Sequence, residues 1–413
     1  MLEKIQYSQL NIIVSDDGHS KEKIYTFGSK DRSGQELKAT LTIKNPAVWL
    51  ALCSNMDAGF AESYMLRDIE IDSLLNLFLI YINNSTVLGN GNWLFQIVPA
   101  LFRLITPTND PARALRNASF HYDTSNELFA AFLSPDMNYS SPIWDASQPE
   151  EPLEAAQLRK INRLIGKLEL SSEHHLFDIG GGWGSLAISA ACTKGCRVPA
   201  TMLSSEQKEL FDVRVKQSGL QHLVECVVCD YRNIPAPAGG YDRIVSVEMV
   251  EHVGKEHMSD YCGAISRMLK PIGGIMVVQG ITIINKVGLL FRICDLNYNP
   301  LISRVVLQIA RQCRKLHRAL RLSRRIPADG GKIAEPRGCW LECALEVESV
   351  ETIGHHYSKA LRVWRENFES AWPKTRKSYE KTHRLSETEM EAFRRRWVQV
   401  AHSSLHCTYH ESD

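Results

Sequence analysis

The run Phe177-Asp178-Ile179-Gly180-Gly181-Gly182-Trp183-Gly184 narrows the possible folds more than any other part of the chain. It closes an apolar stretch that begins at Leu176 and opens a helix-like segment, Ser185–Thr193. Glycines at such a junction let the backbone turn sharply and approach a ligand closely. A plain turn also uses glycine, so the neighbours decide. An acidic residue, Asp178, precedes the glycines, a helix follows at once, and the next strand ends about 20 residues on, the layout of a nucleotide-type cofactor site. The spacing is G-G-G-x-G, not the GxGxxG of dinucleotide enzymes.

From that point strands and helices alternate. Val198–Leu203, Val224–Val228, Arg243–Val247 and Gly274–Val278 read as strands, and Leu153–Leu168, Glu206–Ser218 and His257–Leu269 as helices. Alternation with short links predicts a parallel sheet with helices on both faces. Before it, Leu10–Val14 and Leu37–Ile43 read as short strands, and Pro46–Cys53, Ile71–Ile82 and Glu127–Leu133 as helices. The 413 residues suggest two or three domains. Thr106-Pro107-Thr108-Asn109-Asp110-Pro111 has the composition of a linker, which places a boundary between residues 1–105 and 106–413.

With 44% hydrophobic and 23% charged residues and a net charge of +1, the composition is that of a folded chain and makes no case for nucleic acid. The eleven cysteines are scattered. Cys226 and Cys229 have a C-x-x-C spacing, but inside a strand-like run whose alternate side chains face opposite ways, so no metal site is expected. A reducing compartment fits best. Residues 1–20 lack the pattern of a secretory signal, and no apolar run reaches the ~20 residues of a membrane-spanning helix. The expected location is cytoplasmic, with peripheral membrane contact allowed.

The strand ends carry the other candidate ligand contacts. Leu203-Ser204-Ser205-Glu206-Gln207 could hold a ribose or amino-acid moiety, and Asp230-Tyr231-Arg232 could fix an adenine. Each also reads as a helix cap, Ser204 or Ser205 before Glu206 above all.

Three segments together resemble the cyclopropane-fatty-acyl-phospholipid synthase family of S-adenosylmethionine-dependent methyltransferases. They are His121-Tyr122-Asp123 through Met137–Ser140, Asp178–Gly184, and Tyr241 through Glu251-His252-Val253-Gly254. The likeness extends to Gly59–Met65 and to Ile353–Tyr357 with Leu361 and Trp364, and covers about residues 40–282 and 345–370. It implies an α/β fold: a Rossmann-like class I methyltransferase sheet with helices on both faces, plus a small N-terminal α+β domain of lipid-binding type. It implies S-adenosylmethionine as cofactor and an unsaturated acyl chain of a phospholipid or other lipid as substrate. The alkene attacks the sulfonium methyl and leaves a carbocation, and a base, bicarbonate in the family, removes a proton to give a cyclopropane or a methyl branch. A carbocation needs a dry site with its base already placed. By this resemblance Glu251, Tyr357, Gln279 and the backbone around Ser141 and Ile281 form the catalytic pocket. Tyr139, Ser140, Asp178, Gly180, Gly182, Gly184, Leu203, Ser204, Gln207, Asp230 and Tyr231 contact the cofactor.

The chain also departs from the family. Ser141 and Gly181 stand where cysteine is usual, and Gln279 where bacterial members carry histidine. Residues 283–345 and 398–413 are atypical, and Cys407 is out of register. Between Asp295 and Asp329 there is no acidic residue, while Arg304–Arg325 is strongly basic. With Leu301, Val305, Ile309, Leu316 and Leu320 this reads as an amphipathic helix, solvated or laid against anionic lipid, or else as a non-native translated segment. Two other functions stay open: a small-molecule N- or C-methyltransferase, or a cofactor-binding relative without turnover.

Overall fold

The computed structural model describes residues 2–6, 8–14, 22–28, 37–54, 56–84, 126–253, 257–283, 302–311, 345–383 and 386–405. Their contacts divide the chain into two compact units. One takes the described residues of Met1–Thr108 with those of Trp372–Tyr409, the other those of Asn109–Ala371. The boundary read at 106–111, the His121–Asp123 motif and most of the basic stretch beyond Arg311 lie outside the described residues.

In the first unit, β1 (Gln9–Val14), β2 (Lys23–Gly28), β3 (Lys38–Ile43) and β4 (Ile69–Ile71) form a sheet in the order β2-β1-β3-β4, with only β1 and β3 parallel. Period-two alternation turns Leu10, Ile12, Ala39, Leu41 and Ile43 to one face, the expected pattern of a sheet covered on one side. Val48 of α1 (Ala47–Ser54) and Ile80 of α3 (Leu74–Asn83) pack on that face, and α2 (Met56–Met65) follows α1. The helix expected from Ile71 starts later. Asp72 accepts hydrogen bonds from the Thr40 and Ser73 N–H groups, which ties it to the sheet, and Ser73 caps α3 through the Asn76 N–H.

In the second unit, β5 (Leu176–Ile179), β6 (Val198–Met202), β7 (Val224–Val228), β8 (Arg243–Val247), β9 (Ile275–Ile283), β10 (Ile302–Arg311) and β11 (Leu345–Thr352) form one sheet. Its order is β11-β10-β9-β8-β5-β6-β7. Strands β5 to β9 run parallel, and β10 and β11 add antiparallel at one edge. The helices here are α4 (Asn126–Phe132), α5 (Leu153–Lys167), α6 (Ser185–Lys194), α7 (Ser205–Gln217) and α8 (Met258–Met268). Leu176, Val245, Ile275 and Val277 face α5, α6 and α7, whereas Phe177, Ile179, Ile244, Met276 and Val278 face α8. Helices therefore cover both faces, as the alternation predicted.

One local expectation fails. The basic stretch reads as an amphipathic helix, yet residues 302–311 form β10, paired with β9 from Ile302↔Ile283 to Ala310↔Ile275. Its aliphatic positions satisfy a helical period, but Ile302, Val305, Val306 and Ile309 are β-branched. The free edge of β9 offers a row of unpaired backbone groups, and pairing outweighs the local period.

Two long helices close the described chain, α9 (His355–His383) and α10 (Glu387–Leu405). The sequence boundary groups α10 with the second domain, whereas its contacts place it in the first unit. The Arg395 guanidinium donates to the Tyr64 carbonyl at 3.0 Å and lies over the Tyr64 ring. Phe393 stacks on Trp372 and Tyr379. No helix among the described residues is long and apolar enough to cross a membrane.

Candidate functional site

The carboxyl ends of β5 and β8 are neighbours, while the chain leaves β5 toward β6 on its other side. Such a switch of direction opens a crevice beyond the strand ends, where parallel α/β sheets bind ligands. The glycine turn fills this place. Gly180 and Gly181 both donate their N–H to the Thr201 carbonyl, which locks the turn to β6. Gly184 has φ +87°, and a Cβ there would stand 2.9 Å from the buried Phe211 ring. Gly184→Ala is expected to lower stability by about 1–3 kcal/mol, read as a lower urea midpoint. Gly182 (φ +55°) opens onto free space instead. Arg214 braces the turn through the Trp183 carbonyl and Ser185 Oγ.

Asp178 is turned to the α5 side of β5 and is 3% exposed. Its Oδ2 has no hydrogen-bond partner among the described residues and lies 3.4 Å from where a Gly181 Cβ would be. Burial pushes its carboxyl up to about 7, against the pull of Lys160. Lys160, on α5, is 1% exposed. Burial drives its amine down to about 8, opposed by Glu248, Asp136 and Asp178. Its Nζ donates to Ser140 Oγ (2.9 Å) and Asn138 Oδ1 (3.1 Å). One turn earlier Gln157 Nε2 donates to the Ser140 carbonyl at 2.8 Å. The segment 134–141 is thus fastened to α5 by a buried amine and an amide. It is fastened to α6 by Ser185 Oγ, which donates to the Asp136 carbonyl.

Tyr139 stands in an aromatic wall. Its ring centroid is 5.3 Å from Phe129, 5.9 Å from Phe132 and 5.4 Å from Trp364. Tyr357, in the first turn of α9, joins the wall edge-on to Trp364. Trp183 of the glycine turn joins through Phe129 at 5.0 Å and donates from Nε1 to Asn126 Oδ1. At the end of β6, Ser204 caps α7, its Oγ accepting the Gln207 N–H, with Leu203 just before it. At the end of β7, Asp230 accepts hydrogen bonds from the backbone N–H, Nε and Nη2 of Arg232. Burial pushes its carboxyl up, but the Arg232 bonds outweigh this and hold it below the ordinary carboxylate range. Burial pushes the neighbouring Tyr231 hydroxyl up to about 12.

Ser141, Gln279 and Ile281 were expected around one anion, with Glu251. Ser141 and Gln279 do meet, and both are fully buried. The carboxylate between them is that of Glu248. Glu248 Oε1 accepts from the Ser141 N–H at 2.9 Å and from Gln279 Nε2 at 3.0 Å. Gln279 Nε2 also reaches the Ser141 carbonyl at 3.3 Å. Glu251 approaches β9 elsewhere: its Oε1 would be 3.7 Å from a Cβ on Gly280. Gln279 continues the Ile275–Val277 face and Gly280 the Met276–Val278 face, since neighbouring strand positions point to opposite sides. Glu248 therefore meets β9 from the α5 side and Glu251 from the α8 side. Ile281 pairs with Arg304 of β10, and its side chain lies outside the described residues.

The family model for mycolic acid cyclopropane synthetase matches residues 109–403. The chain belongs to this family. Among cyclopropane synthetase relatives, the tuberculostearic acid methyltransferase UfaA1 of Mycobacterium tuberculosis is 38% identical over 231 residues, 54% of this chain and 53% of that protein. The chain thus aligns with about half of that relative's length. The cyclopropane-fatty-acyl-phospholipid synthase of Escherichia coli K12 is 29% identical over 347 residues, 83% of this chain and 79% of that one. The solved cyclopropane synthase MmaA2 of M. tuberculosis shares the fold, with a TM-score of 0.55 at 21% identity over 73% of this chain and 96% of that one. The second unit is accordingly a class I methyltransferase fold.

Sequence reasoning missed Glu248, Lys160 and Gln157. Glu248 was visible as a second acid in Val247-Glu248-Met249-Val250-Glu251, at the strand end itself. Lys160 and Gln157 carried a weaker signal, two polar residues on the buried stripe of an amphipathic helix.

Proposed function

We propose that this chain is an S-adenosylmethionine-dependent C-methyltransferase that acts on unsaturated acyl chains of phospholipids or related lipids and forms a cyclopropane or a methyl branch. The observation that carries the cofactor assignment is Asp178 Oδ2, a buried acceptor without a donor at the mouth of a glycine turn. The amino group of S-adenosylmethionine is such a donor, so the residues present fit it. When bound, the cofactor supplies an electrophilic methyl on a sulfonium. Tyr139 and Ser140 flank its methionine end, held in place by Lys160 and Gln157. Gly180, Gly182 and Gly184 shape the turn beneath it. Leu203, Ser204 and Gln207 border the ribose side, and Asp230 and Tyr231 the adenine. The aromatic wall of Phe129, Phe132, Tyr139, Tyr357 and Trp364 excludes water and presents ring faces to a cationic centre. Glu251 lies behind Gly280, on the other face of β9 from Glu248. Family membership supports a lipid acceptor, and so does the Escherichia coli relative, which is named for a fatty-acyl phospholipid.

The test is transfer of a labelled methyl from S-adenosylmethionine to a total lipid extract, with mass analysis of the released acyl chains. A gain of one CH₂ on unsaturated chains is the expected result. Label found in an amine fraction and absent from lipid would overturn the lipid reading in favour of a small-molecule acceptor.

A further inference from the structure

The donor pair that the family resemblance assigns to bicarbonate is already filled by the chain itself. The Ser141 N–H and the Gln279 side-chain amide both point at Glu248 Oε1, at 2.9 and 3.0 Å. A carboxylate and a bicarbonate ion present the same group: a planar O–C–O unit with one negative charge. Two such anions cannot share one donor pair, because like charges at that distance repel strongly. The external ion therefore does not fit this pocket as it stands.

The backbone points the same way. Glu248 has φ +48°, one of four positive-φ residues other than glycine among those described. That conformation costs about 1–3 kcal/mol and persists where surrounding structure enforces it. Here the Glu248 N–H is held by the Gln279 carbonyl at 2.7 Å. Backbone and side chain of Glu248 are both latched to Gln279, which delivers the carboxylate to the Ser141 backbone. Among the acids that act on the buried Lys160 amine, Glu248 has the largest effect.

We infer that Glu248 replaces bicarbonate as the resident base of this enzyme, so that the chain works without an external anion. This rests on the proposed lipid-methylating reading for its chemistry, but not for its anion site. In the reaction, the π pair of the alkene forms the bond to the methyl carbon. The carbon–sulfur bond breaks with its pair left on sulfur, and the neighbouring carbon becomes cationic. Glu248 takes a proton from the added methyl, and that C–H pair closes the ring. If the proton comes from an adjacent chain carbon, the pair forms a new double bond instead. The proton on Glu248 then passes to water, which restores the carboxylate.

The unsubstituted protein, Glu248→Gly and Glu248→Gln are compared in buffer freed of carbon dioxide, with and without added bicarbonate. Methyl transfer to lipid and line broadening of ¹³C-bicarbonate are both read. Glycine adopts the left-handed conformation without strain, and the glutamine variant keeps the side-chain volume, so one of the two retains the fold. Wild-type turnover is expected to ignore bicarbonate, and its ¹³C signal to stay sharp. Glu248→Gly should lose about 10²–10⁴-fold in rate, broaden the ¹³C signal and recover at least tenfold when bicarbonate is added. Glu248→Gln should lose a similar factor without rescue. Acceleration of the wild type by bicarbonate, equal broadening by wild type and Glu248→Gly, or a glycine variant that neither binds nor is rescued would each overturn the assignment. A wild type that methylates no lipid while only Glu248→Gly binds bicarbonate would sink the lipid reading and leave the anion site standing.

Discussion

Asp178→Asn protein is expected to bind S-adenosylmethionine at least about 30-fold more weakly than wild type, since removing one partner of a buried charged hydrogen bond costs about 2–5 kcal/mol. The same substitution should stabilise the ligand-free protein, increasingly so as pH rises. Folded Asp178 keeps its proton up to about 7, whereas the unfolded chain releases it near 3.8. Between these values the folded state holds more protons, so wild-type stability falls as pH rises through that window and is flat above it. Asparagine has no proton to lose and no such slope. At about 1.4 kcal/mol per unit, the gain between pH 4 and pH 8 is on the order of 4 kcal/mol at most. Urea unfolding at the two pH values measures it, and calorimetry with the cofactor measures the lost affinity. An asparagine variant that binds as tightly as wild type would remove Asp178 from the site.

Lys160→Met should have the opposite effect on stability. Methionine matches the length of the aliphatic stem but withdraws the cation among the described residues that Asp178 is drawn to. It also frees Ser140 Oγ and Asn138 Oδ1, which Lys160 holds. Stripping the partner from buried charges costs about 3–5 kcal/mol, and that loss is expected at pH 7. At pH 5 it should shrink, because Asp178 is then neutral in the folded state. Wild-type Lys160 adds a slope of its own. The folded amine gives up its proton at about 8 and the unfolded one at 10.5, so stability rises between those values, and the methionine variant lacks that rise. Adding Asp178→Asn to Lys160→Met should recover about 0.5–3 kcal/mol relative to the sum of the two single changes. Strict additivity of the two would mean that the amine and the carboxyl do not interact.

Much of the fold was legible in the chain because the cues were local. Strand–helix alternation, the glycine turn after Asp178 and the serine cap at Ser204 each depend on residues within one turn or one strand, and each is found where it was read. Locality also explains the misreadings. A helical period spans residues 302–311, but whether it becomes a helix depends on a β9 edge about twenty residues earlier in the chain. Asp72 looks like the first turn of a helix until its carboxylate is seen to hold the Thr40 N–H across the sheet. Nothing near α10 reveals that Arg395 will meet the Tyr64 carbonyl.

The candidate site divides along the same line. By itself the sequence determined the family, the parallel sheet, the acid before the glycines and the turns at the strand ends, because short-range sterics and hydrogen bonding set these. Which of two glutamates three residues apart receives the Ser141 N–H was decided only in three dimensions. Glu248 and Glu251 have the same chemistry and nearly the same place in the chain. The left-handed backbone at Glu248 turns its carboxylate to the α5 face of β9, while the turn over Val250–His252 carries Glu251 to the other. The two faces of one strand separate them, and that side of the sheet is fixed by the packing of α5 and α8 rather than by any pattern the residues spell locally.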